Sequence, residues 1–437
     1  MNPTATPESR VIDDGQEHWR ATRFLGAVVA CGLVFSGPSA QAQTRESLAG
    51  EEAAQAMKTS IAAEEYNLSA GPIRLRTEAG LRLSYTDNLF FSDADRREDF
   101  LVNPEVALRA SWPVSDLNTL RLSLGLGYEW YLKNKTLNSD APLINPDSEI
   151  MFHVFVGDFR IRLHEKFSYQ ESLFFNSAAG TADRFFNFTD VGKFSRWDNV
   201  AGLEVVWDLN DVVLSVGYDH ENFVPKTSQF AYLERASEWF TASAGFRLGD
   251  KVQVGLEGQG GLHNYAQETT LNDNWRARGG PFFEFDSEEK ISLRTGGGFD
   301  TAHFDAPAAD NGFEDYYAYV RIRQETRLFT HALTASREHS LGDNADTLRL
   351  AQVRYSISSP VFRHVDLGAD LSVNFAEEFG GTYREKFNYY RAAVGIGWQF
   401  HKYWRTGLGY EYFLKDSDLP LRDFYRNRVT WYLAFAY

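Results

Sequence analysis

The stretch Leu120-Arg121-Leu122-Ser123-Leu124-Gly125-Leu126-Gly127-Tyr128-Glu129-Trp130-Tyr131-Leu132-Lys133 decides the fold. Every second residue from Leu120 to Leu132 is apolar or aromatic, and the residues between are polar, charged or small. Period two is a β-strand with one face in an apolar medium and the other in water. This strand is longer than the usual globular strand, and its apolar face ends in aromatic rings. The pattern returns along the chain. Ile73, Leu75, Leu81, Leu83 and Tyr85 alternate with Arg74, Arg76, Glu78 and Arg82. Phe159, Ile161, Leu163 and Phe167 alternate with Arg160, Arg162, His164 and Lys166, with Glu165 interrupting the apolar side. Val365, Leu367, Leu371 and Val373 oppose Asp366 and Asp370, and Trp404, Leu408 and Tyr410 oppose Arg405 and Glu411. Val429, Trp431, Leu433, Phe435 and Tyr437 end the chain in the same way. The repetition predicts an all-β fold: a single transmembrane antiparallel up-and-down β-barrel, lipid outside and water inside.

Composition agrees with a barrel and hides it. Of 437 residues 15% are aromatic, yet mean hydropathy is only −0.39, because half of each strand faces water. No run reaches the ~18–20 apolar residues of a spanning helix. The longest, residues 24–35, follows Arg20 and Arg23 and precedes Ala40-Gln41-Ala42, a small-x-small cleavage site. That reads as a secretory signal peptide over residues 1–42, cleaved after Ala42. Cys31 is the one cysteine and lies in the apolar run. Val28-Val29-Ala30-Cys31 loosely matches a lipoprotein site, but the run continues to Phe35 and the later site is better. A cleaved chain then has no disulfide, thiolate nucleophile or Cys-zinc site. The net charge of −16 argues against nucleic acid as a partner.

Residues 43–72 read as a periplasmic N-terminal helix or tether. The part over 51–66 is rich in Ala and Glu, and Gly71-Pro72 stops it. From Ile73 to Tyr437 strands follow almost continuously. Tight connections at 113–118, Gly157-Asp158, Asn210-Asp211, Gly249-Asp250, 287–289, Ser359-Pro360 and His401-Lys402 alternate with longer polar ones at 88–99, 134–147, 176–194, 306–312 and 415–422. Short periplasmic turns and longer external loops alternate in this way in outer-membrane barrels. The count is about 16–18 strands, closest to eighteen, an even number that puts both ends of the barrel in the periplasm. The phase change from Leu348 and Leu350 to Val353, Tyr355 and Ile357 predicts a bulge. Trp398, Phe400, Tyr403 and Trp404 predict a periplasmic aromatic girdle.

Little in the sequence suggests chemistry. The ten His lack metal spacing; His331 and His339 share one face of an unbroken strand, with no acid completing a site. An outer-face lipase would need a His on the lipid side. His220 qualifies, but Ser215 and Asp219 lie on the opposite face. The glycines at 255–261 and 296–298 sit within strands and lack a phosphate-loop ending, so they read as inward clearance. The acidic clusters around Asp93, Asp305 and Asp416 do not follow calcium-loop spacing. No catalytic residue, metal or cofactor is expected, and the chain does not read as an enzyme.

The inward charges carry more. Arg74, Arg76, Arg82, Arg160, Arg162 and Lys166 are expected to line the lumen, with Glu78, Glu129, Asp366, Asp370 and Glu411 adding the opposite sign. Charges on the lipid face are costly. A basic strip favours anionic solutes or sugars; the competing reading is a salt-bridged wall that only keeps the barrel wet and rigid.

Leu83-Ser84-Tyr85-Thr86-Asp87-Asn88-Leu89-Phe90, then Asn103-Pro104, Trp112-Pro113 and the strand from Leu120 to Trp130, resemble a family of outer-membrane β-barrel porins whose members often occur beside exopolysaccharide-synthesis genes. The resemblance implies a barrel in the bacterial outer membrane and a role in polysaccharide secretion or solute passage. It supplies no catalytic residues. The expected function is a hydrophilic channel, with saccharide or exopolysaccharide as one candidate cargo. The alternatives are a structural or surface-attachment barrel without conductance and, less favoured, a lipid-modifying enzyme. Expected partners are outer-membrane lipids, the passing solute or polysaccharide, and the outer-membrane assembly machinery, which reads Val429, Trp431, Leu433, Phe435 and Tyr437. The sequence leaves the oligomeric state open. Residues 176–194 are long enough to fold into the lumen, with Phe185, Phe186 and Phe188 as wall contacts.

Overall fold

The period-two runs become strands in the computed structural model, which describes residues 66–171, 186–267, 270–287, 290–305, 312–362, 364–380 and 383–436. They are β1 (Ile73–Thr86), β2 (Asp99–Pro113), β3 (Asn118–Gly127), β4 (Glu149–Val156), β5 (Phe159–Gln170), β6 (Arg196–Asp208), β7 (Val212–Pro225), β8 (Arg235–Arg247) and β9 (Val252–Tyr265). The second half comprises β10 (Asn274–Asp286), β11 (Ile291–Phe304), β12 (Gly312–Glu325), β13 (Thr330–Leu341), β14 (Thr347–Phe362), β15 (Val365–Phe379), β16 (Glu385–His401), β17 (Trp404–Ser417) and β18 (Phe424–Ala436). Each pairs antiparallel with the next, and β18 returns to β1 in a register running from Glu78↔Ala436 to Thr86↔Arg428. Eighteen strands thus close a barrel without a free edge, which a sheet in lipid requires. The protein is a closed, eighteen-stranded antiparallel β-barrel. Short strands Trp130–Tyr131 and Leu143–Ile144 prolong the wall on the external side.

The Thr86-Asp87-Asn88 motif sits at the closing seam. The Asn427 backbone N–H and Nδ2 donate to the Asp87 carboxylate at 2.7 and 2.6 Å. Asn88 Nδ2 donates to the Tyr425 carbonyl at 2.9 Å and the Ser92 carbonyl at 2.7 Å. The first strand's external end is thereby tied to the start of the last.

The outer face is apolar between two aromatic girdles. Leu126, Leu163, Phe240, Leu256 and Leu408 are exposed within the band. At the periplasmic side Phe159 stacks on Trp207 at 5.2 Å, and Trp404 packs on Phe435 at 4.8 Å. At the external side Tyr85–Phe100, Tyr128–Trp130 and Tyr169–Trp197 pair at 4.9 Å each.

Several details differ from the sequence reading. The register of β14 is continuous from Thr347 to Pro360, so the bulge expected near Val353 is absent and the irregularity lies between Pro360 and Phe362. Leu348 and Leu350 face inward instead, against a core built from the loop residues Leu89 and Phe91 and inward strand residues such as Leu101, Phe387 and Tyr389, which is why their phase looks reversed. The turn expected at Ser359-Pro360 comes after Phe362, and the one at His401-Lys402 falls on Lys402-Tyr403, since His401 pairs with Trp404. Of the three glycines 296–298, Gly297 faces lipid. A Cβ on Gly298 would stand 2.0 Å from the Gly279 carbonyl oxygen, so β10 and β11 approach too closely there for a side chain. Residues 68–70, at the end of the expected helix or tether, are extended and fold back on β1 across Gly71, whose φ is +62°. The proposed signal peptide, its Ala40 and Ala42 site, most of the tether, Phe185 and Tyr437 lie outside the described residues.

Candidate pore and its external closure

Strand parity decides which charges face the lumen. Cross-strand pairs and ion pairs put Arg74, Arg76, Glu78 and Arg82 on the inner face of β1, and Arg160, Arg162 and Lys166 on that of β5. Two further arginines stand between them. Arg109 on β2 is directly opposite Arg76, and Arg121 on β3 faces Ser111, which faces Arg74. The alternation around Leu120 and Leu122 already exposed Arg121 as a polar-face residue; its neighbours across the sheet were invisible without the register. Below the external rim, the inner face of β1–β5 carries eight basic side chains (Arg74, Arg76, Arg82, Arg109, Arg121, Arg160, Arg162, Lys166) against three acidic ones (Glu78, Glu105, Glu149). Some are paired: Arg76–Glu78 at 2.6 Å, Arg82–Glu105 at 3.4 Å and Arg162–Glu204 at 3.2 Å. His153, buried among Arg121, Arg160 and Arg162, has neither ring nitrogen hydrogen-bonded.

The inner face of β14–β18 is a ladder of shared ion pairs. Asp370 takes Arg354 at 2.7 Å and Arg391 at 2.5 Å; Glu411 takes Arg391 at 2.9 Å and Arg426 at 2.6 Å; Arg405 reaches Asp366 at 3.2 Å. Asp370 is therefore inward but shielded by two arginines and buried. Glu129 is also inward but only 3% exposed, accepting the Tyr131 hydroxyl at 3.0 Å beneath the external loops rather than facing an open lumen. Beside β5, the inner face of β6–β11 mixes both signs: Glu204, Asp219, Glu221, Glu257, Glu284 and Asp286 stand with Arg235, Arg247, Arg276, Arg278 and Arg294, and Arg235–Glu221 and Arg294–Glu257 are ion pairs.

The external mouth is reached by residues 186–195, which lead into β6. Asn187 lies against β15–β17; β15 is eight strands from β5 by the shorter way round the ring. Its Nδ2 donates to Glu378 at 2.8 Å and Glu385 at 2.7 Å, and Lys415 Nζ donates to its Oδ1 at 2.7 Å. Its backbone N–H donates to Asp343 at 2.8 Å, and its carbonyl accepts from Asn344 and Arg422 at 2.9 and 2.8 Å. Asn187, Glu378, Glu385 and Lys415 are all fully buried. Burial works against the Arg422 charge, yet Glu385 holds that guanidinium above its ordinary value. On either side of Asn187, Phe186 and Phe188 pack with Phe194, Phe223, Phe230, Leu233 and Leu271. Near β1, the loop residues Leu89 and Phe91 fill a second core with Leu101, Tyr131, Leu348, Phe387, Tyr389 and Phe424.

No group of His, Cys, Asp or Glu among the described residues has metal-binding geometry. His220 is on the outer face, bonded to Glu238 at 2.8 Å, with no serine beside it on that face. His339 is buried against Asp300 at 3.0 Å, whereas His331 is on the outer wall.

No family model and no curated protein sequence matches the chain. Among solved structures it is similar to the outer membrane protein opdK from Pseudomonas aeruginosa (12% identity, 83% of this chain, 99% of that chain, TM-score 0.47). It is also similar to OccK2 (OpdF) from Pseudomonas aeruginosa in complex with glucuronate (9%, 83% and 98%, TM-score 0.47) and to a BenF-like porin from Pseudomonas fluorescens Pf-5 (9%, 83% and 99%, TM-score 0.47).

Proposed function

We propose that this barrel is a hydrophilic channel for anionic solutes, acidic saccharides among them, closed at its external mouth by the segment anchored at Asn187. The observation that carries the reading is the basic inner wall of β1–β5, where eight cations face three carboxylates. An ion in the lumen feels groups within about a Debye length of ~8–10 Å, so this wall outweighs the acidic loops that dominate net charge. A role in exopolysaccharide passage rests on the sequence resemblance alone. Outer-membrane lipids and the assembly machinery are its partners on this reading, the latter through Val429, Trp431, Leu433 and Phe435 on the outer face of β18 and the terminal Tyr437.

Single-channel recording in a salt gradient tests the reading. The expected reversal potential has the anion sign, and replacing Arg74, Arg76 and Arg160 with Ser moves it toward cations. Cation preference that is the same in both proteins refutes it. The second reading, a structural barrel without conductance, draws on the Asn187 anchor; absence of conductance even after that anchor is removed would favour it.

A further inference from the structure

The outer wall holds a cavity that a channel does not use. It measures about 250 Å³ and is lined by Ile322, Gln324, His331, Leu333 and Tyr355. These side chains occupy two adjacent rows across β12–β14: Ile322, Leu333 and Tyr355 in one, Gln324 and His331 with Ile357 in the other. Ile322 and Val353 on the same face are exposed, which marks it as the lipid side. On β12 and β13 the rows lie two and four residues above the turn 326–329. A tilted strand gains roughly 2.5 Å of height per residue, so the cavity stands at the depth of phospholipid headgroups and their first methylenes.

The lining is ordered by polarity. His331, Gln324 and Tyr355 bring polar groups to the cavity, and the exposed Arg327 lies in the adjoining turn. Above the cavity the next row is Val320, Ala335 and Val353, where Ala335 keeps the centre of the apolar wall low. His331 Nδ1 and the Tyr355 hydroxyl lie 2.6 Å apart. If the hydroxyl donates to Nδ1, the ring carries its proton on Nε2, free to donate elsewhere. If Nδ1 donates, the hydroxyl proton is free instead. Either tautomer leaves one donor for an outside acceptor, beside the two amide protons of Gln324. Donors and a nearby cation at headgroup depth, under an apolar trough, match a phosphodiester with an acyl chain. The neighbouring carboxylate, Glu325, points inward and is already paired with Arg323 at 2.6 Å.

We propose that this cavity binds one phospholipid of the periplasmic leaflet, with the phosphate on His331, Tyr355, Gln324 and Arg327 and one acyl chain along Leu333 and Ala335. The site is independent of the channel reading. The test is native mass spectrometry of the full-length barrel, delipidated in detergent and supplied with dioleoylphosphatidylglycerol or dioleoylphosphatidylethanolamine. The expected result is one retained lipid per barrel, at least tenfold less retention in His331→Leu/Tyr355→Phe, and wild-type retention in Tyr410→Phe, an outer-face control on β17. Dioleoylglycerol, which lacks the phosphate, should not be retained. Gln324→Ala gives a second reading should the double variant fail to fold, and is expected to weaken retention in the same direction. Equal retention in the lipid-site variants, equal retention of dioleoylglycerol, or a dimer that these substitutions dissolve in place of a lipid adduct would each overturn the proposal.

Discussion

Replacing Asn187 with Ala should free the segment that reaches the external mouth. The side chain makes two bonds to buried carboxylates and receives one from a buried ammonium, at 2.7–2.8 Å. A hydrogen bond to a charged group contributes about 1.5–3 kcal/mol in mutational series. Counting only one net loss, because Lys415 and Glu385 remain paired at 2.6 Å, the docked state weakens by about 1.5–3 kcal/mol. At about 1.4 kcal/mol per decade, the docked-to-released ratio falls roughly tenfold to a hundredfold. The barrel itself should persist, since its strands do not depend on this anchor. Planar-bilayer recording should show larger or more frequent openings than wild type, with unchanged heat-modifiable mobility on gels. Phe186 and Phe188 still hold part of the segment in their aromatic cluster, so Asn187→Ala/Phe188→Ala should open further than either change alone. Identical conductance and open probability in wild type and both variants would refute the idea that this anchor closes the mouth.

Glu411→Gln removes the carboxylate shared by Arg391 and Arg426, while Arg391 keeps Asp370 at 2.5 Å, and should destabilise the folded barrel by about 1.5–3 kcal/mol, the range for a hydrogen bond to a charged group, read from urea unfolding in detergent. Deleting β18 should abolish outer-membrane insertion, because β1 and β17 would present open edges to lipid; normal membrane levels of the truncated chain would contradict this. Burial raises the Asp346 carboxyl above its ordinary range against the bonds it accepts from Asn272. A raised folded value gives stability that is fully present below the unfolded value of about 4 and lost as pH rises through the folded one. Protection of the Asn272 amide from hydrogen exchange, corrected for intrinsic rates, should therefore fall as pH rises through the weakly acidic range, and Asp346→Asn should remove that dependence.

The sequence alone determined the architecture and most of the polarity. Alternation is a local property of a strand, so Leu120 to Leu132 declared their lipid face, and Arg74, Arg76, Arg160 and Arg162 their inner face, without any knowledge of neighbours. Closure near eighteen strands followed from the spacing of turns, although Pro360 looked like a turn and lies inside β14. What the tertiary structure decided is everything that depends on which strands meet. Arg109 stands opposite Arg76 only because β1 and β2 pair in that register. Asn187 finds Glu378, Glu385 and Lys415 across the ring, at separations of 191 to 228 residues that no local pattern encodes. Leu348 and Leu350 broke the lipid-facing phase because the loop residues Leu89 and Phe91, with inward strand residues such as Phe387 and Tyr389, give them an apolar core inside the barrel. In the sequence His331 was only a histidine without metal spacing, and the register placed it on the lipid side beside Tyr355. Period two records only the medium on each face of a strand. Contacts across the lumen, and cavities between strands on its wall, are made when the sheet closes.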